Sequence, residues 1–368
     1  MTEKVKLAFI GGFLGVGKTS LMIELGKRLA SKSGKRVALI TNDQGEVLVD
    51  TKTIRDFGFS CAEVLQGCFC CKFPDFVDSL HKILAKIKPN VILAEPVGSC
   101  TDLLATVYAP LRQYYGDEIS LSPFLVLVDA STILDYNRKL NLILPRAPLG
   151  FLISWQIKEA DIVGVNKLDL VEEPQLAEIK SLLSDINQGV ELVPLSARTG
   201  YNLDELAKIL MEREHHTRSS IDVDYDLYGV AEAELGWFNG SWKVTSEKTI
   251  RPEEFVKDLM EEIAKRIEGK GGQVVHLKLN FSTVEGSAKA SLVNLGQGVG
   301  FTNVLPPPSK SIDIIINIRA RLDPDGITNC VLESLKLVIP KYKAEYSDWF
   351  ARSFSPAFPK PYHRLPRT

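Results

Sequence analysis

Gly12-Phe13-Leu14-Gly15-Val16-Gly17-Lys18-Thr19 follows an apolar run, Val5-Lys6-Leu7-Ala8-Phe9-Ile10, that reads as a buried strand. Beyond it, Leu21, Met22, Leu25 and Leu29 recur at helical spacing. Strand, glycine-rich turn and helix is the setting that a phosphate-binding loop requires. Gly12, Gly15 and Gly17 let the backbone N–H groups around Val16 and Ser20 curl inward around phosphate oxygens. The helix N-terminus adds its partial positive charge. Lys18 supplies a cation for the terminal phosphates, and the Thr19 hydroxyl is a ligand for Mg2+. The stretch predicts a nucleoside triphosphate site.

Further strands extend that site, because ligands gather at the carboxyl ends of strands in open α/β sheets. Arg36 to Thr41 reads as a strand ending in Asn42-Asp43-Gln44-Gly45-Glu46, which puts Asp43 where Mg2+ would sit. Glu46 and Asp50 follow in a polar loop with the character of a switch segment. Pro89 to Ala94 reads as a strand ending in Glu95-Pro96-Val97-Gly98. Glu95 is positioned to hold the Mg2+ water shell and the Gly98 amide to sense the terminal phosphate. Ile162 to Val165 runs into Asn166-Lys167-Leu168-Asp169. The Asp169 carboxylate can accept from both N1–H and the 2-amino group of guanine, a pair that adenine lacks. Lys167 would lie along the base, Asn166 would tie neighbouring loops, and Ser196-Ala197-Arg198 would offer N–H groups to the guanine carbonyl. The nucleotide expected is GTP.

Between these motifs, Cys61 to Gln66 reads as a strand followed at once by Gly67-Cys68-Phe69-Cys70-Cys71. Soft thiolates favour Zn2+, Cu(I) or Ni2+, and the segment must turn for Cys68, Cys70 and Cys71 to converge on one ion. A fourth position is left for Cys100, an acidic side chain, water or a partner protein. With six cysteines, three of them within four residues, the spacing suits a metal better than a disulfide framework. That spacing and the lack of a signal peptide lead us to expect a reducing cytoplasm. A net charge of −2 gives no case for nucleic-acid or acidic-membrane binding, and no apolar run is long enough for a membrane span.

Alternating strands and helices predict an α/β fold, a P-loop GTPase domain on a mostly parallel doubly wound sheet, over residues 1–214. Residues 215–226, beginning at the solvated pair His215-His216, read as a linker. A smaller C-terminal α+β domain follows over 227–345. In it, Ala231 to Leu235 alternates like a strand, and Asn239-Gly240 reads as a hairpin turn between Trp-bearing strands. His276 points away from the apolar face of its strand, hence to a surface or interface. Residues 346–368 form an aromatic, basic, proline-rich tail that either docks or stays poorly ordered.

Taken together, Gly12 to Thr19, Gly67 to Cys71, Glu95 to Gly98, Gln156-Ile157-Lys158-Glu159-Ala160-Asp161 and Asn166 to Asp169 resemble the CobW-type GTPases, relatives of the nickel chaperones UreG and HypB. The resemblance covers about the first 215 residues. It implies a GTP-hydrolysing switch that delivers a metal, or loads a metallocofactor, into a client metalloprotein. Cys68, Cys70 and Cys71 would be its site for Zn2+ or another transition metal such as Ni2+ or Co2+. It also leaves room for a nucleotide-dependent homodimer. The alternative is a GTP-dependent protein chaperone for a corrinoid or other metalloenzyme, with a structural metal. This chain departs from many relatives in having five histidines and no histidine-rich tract, which counts against metal storage. Its Asn42-Asp43-Gln44-Gly45-Glu46 also differs from the usual Asn-Glu-Phe-Gly-Glu and is closer to urease chaperones. No arginine finger or water-positioning residue stands out, so slow intrinsic turnover is expected.

Overall fold

The computed structural model describes residues 4–43, 59–65, 67–216, 220–293, 295–302 and 304–366. Glu46, Asp50 and Gln66 lie outside them, and so does the side chain of Asp43. Chain contacts divide the described residues into two units, 4–43 with 59–231 and 358–366, and 232–357.

The first unit runs β1 (Val5–Gly12), α1 (Lys18–Ser33), β2 (Val37–Asp43), β3 (Ser60–Leu65), α2 (Phe73–Ile87) and β4 (Val91–Glu95). A π-helical turn, Leu104–Tyr108, leads into α3 (Ala109–Tyr115), then β5 (Ile119–Leu121), β6 (Leu125–Asp129), α4 (Ile133–Leu140) and α5 (Pro148–Glu159). β7 (Ile162–Asn166), α6 (Glu173–Ile186), β8 (Glu191–Pro194), α7 (Leu203–Glu212) and α8 (Tyr225–Ala233) follow. The strands form one sheet in the order β3-β2-β4-β1-β6-β7-β8, with β5 against β1, and every pairing is parallel. β4, β6 and β7 read as apolar runs up to a polar last residue, and β1 as one interrupted only by Lys6, because central parallel strands are covered on both faces. The order reverses around β1, so the loop between β1 and α1 opens into the sheet's crevice. α1 buries Leu21, Met22, Leu25 and Leu29, and it ends where left-handed Gly34 caps it.

The second unit contains β9 (Gly236–Ile250), α9 (Pro252–Gly269), β10 (Gln273–Thr283), β11 (Gly286–Leu292), β12 (Gly300–Thr302), β13 (Ser309–Arg321), α10 (Pro324–Lys341) and β14 (Ala344–Phe354). Its sheet has the antiparallel order β12-β11-β10-β13-β9-β14. α9 and α10 share one core with Phe238, Trp242, Leu277, Leu279, Ile314 and Ile316, so this is the α+β unit expected.

Four local readings are corrected. Asn239-Gly240 is not a turn but lies inside β9, paired on both sides by β13 and β14. Its Asn239 Oδ1 accepts from Asn317 Nδ2 and Arg319 Nη1, and Gly240 is packed against the Phe238 ring and Phe350 O. Ala231 falls in α8, not in a strand, because Tyr228 and Ala231, three apart, are both buried. His276 is buried rather than at a surface, beside a register shift between β10 and β13. His215 is no solvated turn residue: it is buried, its N–H donates to Leu121 O, and its Nδ1 meets Asp161 Oδ2 at 2.5 Å. The stretch from 346 begins as strand β14, and residues 358–366 return to the first unit.

Candidate functional site

The loop between β1 and α1 is a backbone cradle. Gly12, Gly15 and Gly17 have φ of 120°, 81° and 98°, a region that side chains disfavour. A Cβ at Gly12 would stand 2.3 Å from Leu127 O. Lys18 and Thr19 are buried at the start of α1, Val16 is buried in the loop and Ser20 is exposed. The Lys18 ammonium donates to Gly12 O at 2.9 Å and Phe13 O at 3.1 Å, curled over the loop where terminal phosphates would lie. The cradle fits a polyphosphate, with N–H groups, a helix N-terminus and a lysine on one hollow.

Glu95 ends β4, buried, in register with Thr41 of β2. A Cβ at Gly98 would fall 2.9 Å from Lys18 Nζ, which puts this loop against the cradle. Gln156 Nε2 holds it there, donating to Gly98 O at 3.0 Å and Cys100 O at 2.8 Å. Thr101 Oγ1 donates to Glu159 at 3.1 Å. Burial first, then the charge of Asp102, raises the Glu159 pKa to about 8. The Gln156 to Asp161 stretch thus acts as a clamp: Asp161 accepts from the Phe124 N–H at 2.7 Å and holds His215.

At the other end of the cradle, Asn166 Nδ2 donates to Val16 O at 2.8 Å and its Oδ1 accepts the Ala197 N–H at 3.0 Å. One amide therefore joins the phosphate loop to the loop after β8. Asp169 Oδ1 accepts from Ser196 Oγ, and Asp169 Oδ2 pairs with the largely exposed Arg198, both at 2.5 Å. Lys167, in the left-handed region, reaches Asp129 Oδ2 at 2.5 Å. Asp129, which nothing in the sequence singled out, ends β6 and fixes that lysine.

The cysteine loop is built from side chains. Cys68, Cys70 and Cys71 present sulfurs all within 4.8 Å of one another, and every cysteine of the chain is a free thiol. Cys68 Sγ lies 2.7 Å from Cys70 Sγ, and Cys70 Sγ 3.9 Å from Cys71 Sγ. Tetrahedral zinc asks for sulfurs about 3.8 Å apart, so the first pair opens by about 1 Å to share an ion. Hydrogen bonds from Cys100, Cys70 and Cys71 hold the Cys68 pKa well below the ordinary thiol value. Those to Cys100 and Cys68 push Cys70 well above it, and the one to Cys68 raises Cys71 to about 12. Three converging sulfurs, two of them buried, are a donor set that fits a soft divalent ion.

The turn that gathers the thiols depends on Asn42. Its Nδ2 donates to Val64 O at 3.0 Å and Gly67 O at 2.6 Å, and its Oδ1 accepts the Phe69 N–H at 2.8 Å. Asn42 is one residue from Asp43 at the end of β2. The sequence shows it only as the strand-end residue before Asp43, and this role is not legible there, since its partners lie more than twenty residues on.

The description "CobW/HypB/UreG, nucleotide-binding domain" matches residues 6–194, just over half of the chain. Among curated proteins, the chain is 25% identical over 225 residues to the zinc-regulated GTPase metalloprotein activator 1 of Dictyostelium discoideum, covering 52% of this chain and 46% of that protein. It is 24% identical to the zinc chaperone CobW of Pseudomonas aeruginosa, covering 58% and 64%. It is 33% identical to the zinc chaperone YeiR of Escherichia coli, covering 44% and 45%. The match spans about half to two thirds of the length of these relatives. With its phosphate cradle, cysteine loop and base-side loops on one parallel sheet, the chain belongs to the CobW/HypB/UreG family through its nucleotide-binding domain.

Proposed function

We propose that this protein is a GTP-binding and GTP-hydrolysing metallochaperone, in which the nucleotide state controls zinc held by Cys68, Cys70 and Cys71. The observation that carries the reading is that one parallel sheet presents two sites at the same end of its strands: thiols converge at the loop after β3, which Asn42 at the end of β2 holds, while the phosphate cradle opens after β1. Relatives named as zinc chaperones and a zinc-regulated GTPase support zinc as the ion. Asp169, Lys167, Asn166, Ser196 and Ala197 hold guanine; Gly12, Gly15, Val16, Gly17 and Ser20 wrap the phosphates. Thr19, Asp43 and Glu95 would hold Mg2+, which when bound neutralises charge on the β- and γ-phosphates.

In hydrolysis, Lys18 shifts from the Gly12 and Phe13 carbonyls to the γ-phosphate, and water attacks in line. Gly98 follows the γ-phosphate, and its movement is passed along the loop held by Gln156. The client is a metalloprotein or cofactor enzyme, the compartment the cytoplasm, and self-association depends on nucleotide.

The second reading, a client chaperone with a purely structural zinc, is favoured by burial: Cys68 and Cys70 are 5% and 2% exposed. Chelator competition with no nucleotide, GDP and a non-hydrolysable GTP analogue separates the two. A zinc affinity that moves tenfold or more between states, and is lost in the Cys68→Ala/Cys70→Ala/Cys71→Ala variant, supports gating (about 1.4 kcal/mol of coupling). Tight binding indifferent to nucleotide supports the structural zinc.

A further inference from the structure

We propose that Cys100 is the fourth ligand of the cysteine site, making it a four-thiolate centre with one ligand supplied by the loop that carries Gly98. This rests on reading Cys68, Cys70 and Cys71 as a metal site. Cys100 is only 2% exposed, and its thiol interacts with those of Cys68 and Cys70, beside the three sulfurs that gather within 4.8 Å of one another. Its backbone is pinned at both ends, N–H to Val97 O at 2.9 Å and C=O from Gln156 Nε2 at 2.8 Å. The scaffold therefore fixes the backbone from which this sulfur meets the cluster.

Two consequences follow from chemistry. Four thiolates in a tetrahedral set favour zinc over nickel, which prefers square-planar or tetragonal nitrogen and oxygen surroundings. The fourth ligand also stands two residues beyond Gly98, whose Cα lies against the Lys18 ammonium. A shift of Gly98 toward a γ-phosphate thus pulls on one sulfur of the site, leaving the other three on a separate loop.

X-ray absorption at the zinc edge of the full-length, zinc-loaded protein tests the assignment without a variant. Four sulfur neighbours at about 2.3 Å are expected, falling to three sulfurs and one lighter atom in Cys100→Ser. Circular dichroism of the metal-free variant checks that it folds. Three sulfurs and one oxygen or nitrogen in the unaltered protein would overturn the assignment while leaving the three-cysteine site intact. A shell with no sulfur would instead overturn the underlying metal site.

A separate set of contacts bears on access. We infer that residues 358–366 form a strap that slows exchange of metal at this site. The Lys360 N–H donates to Cys71 Sγ at 3.3 Å and the Tyr362 N–H to Cys70 O at 2.8 Å. His363 packs edge-on against Phe73, just after the cysteine loop, at 5.2 Å between ring centroids. Arg364 Nε reaches the fully buried Asp102 at 2.7 Å, where the Tyr225 hydroxyl also donates at 2.6 Å. The Leu365 N–H closes the run on Ala105 O at 2.9 Å. One strap thus touches the cysteine loop and the stretch just after Cys100.

In the full chain, Arg364→Ala and Lys360→Pro each loosen the strap, the second by removing an N–H. Both should speed zinc transfer to an excess of chelator about tenfold. Equilibrium affinity should change less than threefold in Arg364→Ala, because a cover alters the rates of entry and exit together, whereas Lys360→Pro also loses a hydrogen bond to the ligand Cys71 and should bind about tenfold more weakly. Transfer rates equal to those of the unaltered protein in both variants would overturn the strap.

Discussion

The phosphate cradle and the cysteine loop follow two strands of one parallel sheet, β1 and β3, with β4 and β2 between them, yet they are built from opposite materials. The cradle is backbone: left-handed glycines, a helix N-terminus and one lysine, all within eight residues of sequence. The cysteine loop is side chains, and its shape depends on residues far away in the chain: Asn42, Cys100, Lys360 and Tyr362. A site made of local backbone carries its own geometry in its residue types. A site made of converging side chains takes its geometry from the fold.

The sharpest way to separate the two is to remove Lys18. Lys18→Ala takes away the cation proposed to meet the γ-phosphate, and GTP turnover should fall about a thousandfold. Zinc affinity without nucleotide should stay within twofold, as measured by chelator competition. A parallel loss of zinc would mean that the sites share structure as well as signal.

Next in size is the buried clamp that joins them. The Glu159 pKa of about 8 lies above the ordinary value of 4.5. Below about pH 4.5 both folded and unfolded chains hold this proton; between 4.5 and 8 only the folded chain does. Glu159 therefore stabilises fully below the lower value, and stability falls as pH rises, by about 1.4 kcal/mol per pH unit. Glu159→Gln keeps an acceptor for Thr101 and has no proton to lose. The difference in Tm between the two proteins should shift in favour of the variant from pH 5 to pH 8 and be flat below pH 4.

On the proposed base side, Asp169→Asn replaces one acceptor oxygen with a donor that would face the guanine N–H groups. GTP affinity should fall about a hundredfold, and xanthosine triphosphate, with a carbonyl where guanine has its amino group, should bind better than GTP. Arg198 and Ser196 already engage that carboxylate, so Arg198→Ala makes a useful control: it frees one oxygen and should tighten GTP by less than tenfold.

How legible the molecule was follows the same division. Periodicity placed the strands and helices that position the cradle, because parallel strands covered on both faces read as near-continuous apolar runs. It failed where pattern and pairing diverge. Asn239-Gly240 looks like a turn, but a strand paired on both sides can take a glycine where a Phe238 ring crosses it and an asparagine where Arg319 needs an acceptor. His215 looked solvated because nothing local shows that Asp161, more than fifty residues earlier, waits for it. The spacing of the cysteines suggests a shared ion, and the fold does bring their three sulfurs together. Their clamp is not legible in that way, since an asparagine at a strand end has many ordinary uses.

Asn42 is where the contrast can be tested most finely. It is the residue before Asp43, and its side chain gives two hydrogen bonds to the cysteine loop's approach and takes one from Phe69. If nucleotide state reaches the thiols through the end of β2, Asn42→Ala should reduce the tenfold nucleotide effect on zinc affinity to less than twofold. Loss of the buried bonds also costs about 1–3 kcal/mol of stability, so a weaker zinc site in every state is expected alongside. Asn42→Asp is the discriminating partner: it keeps the acceptor for Phe69 and loses both donations, to Val64 and Gly67. Partial coupling in Asn42→Asp and none in Asn42→Ala would assign the signal to this amide. Full coupling in both would send it instead through Gly98 and Cys100, the second connection between the cradle and the thiols. Either result says which strand end carries the nucleotide's state to a site that backbone alone does not build.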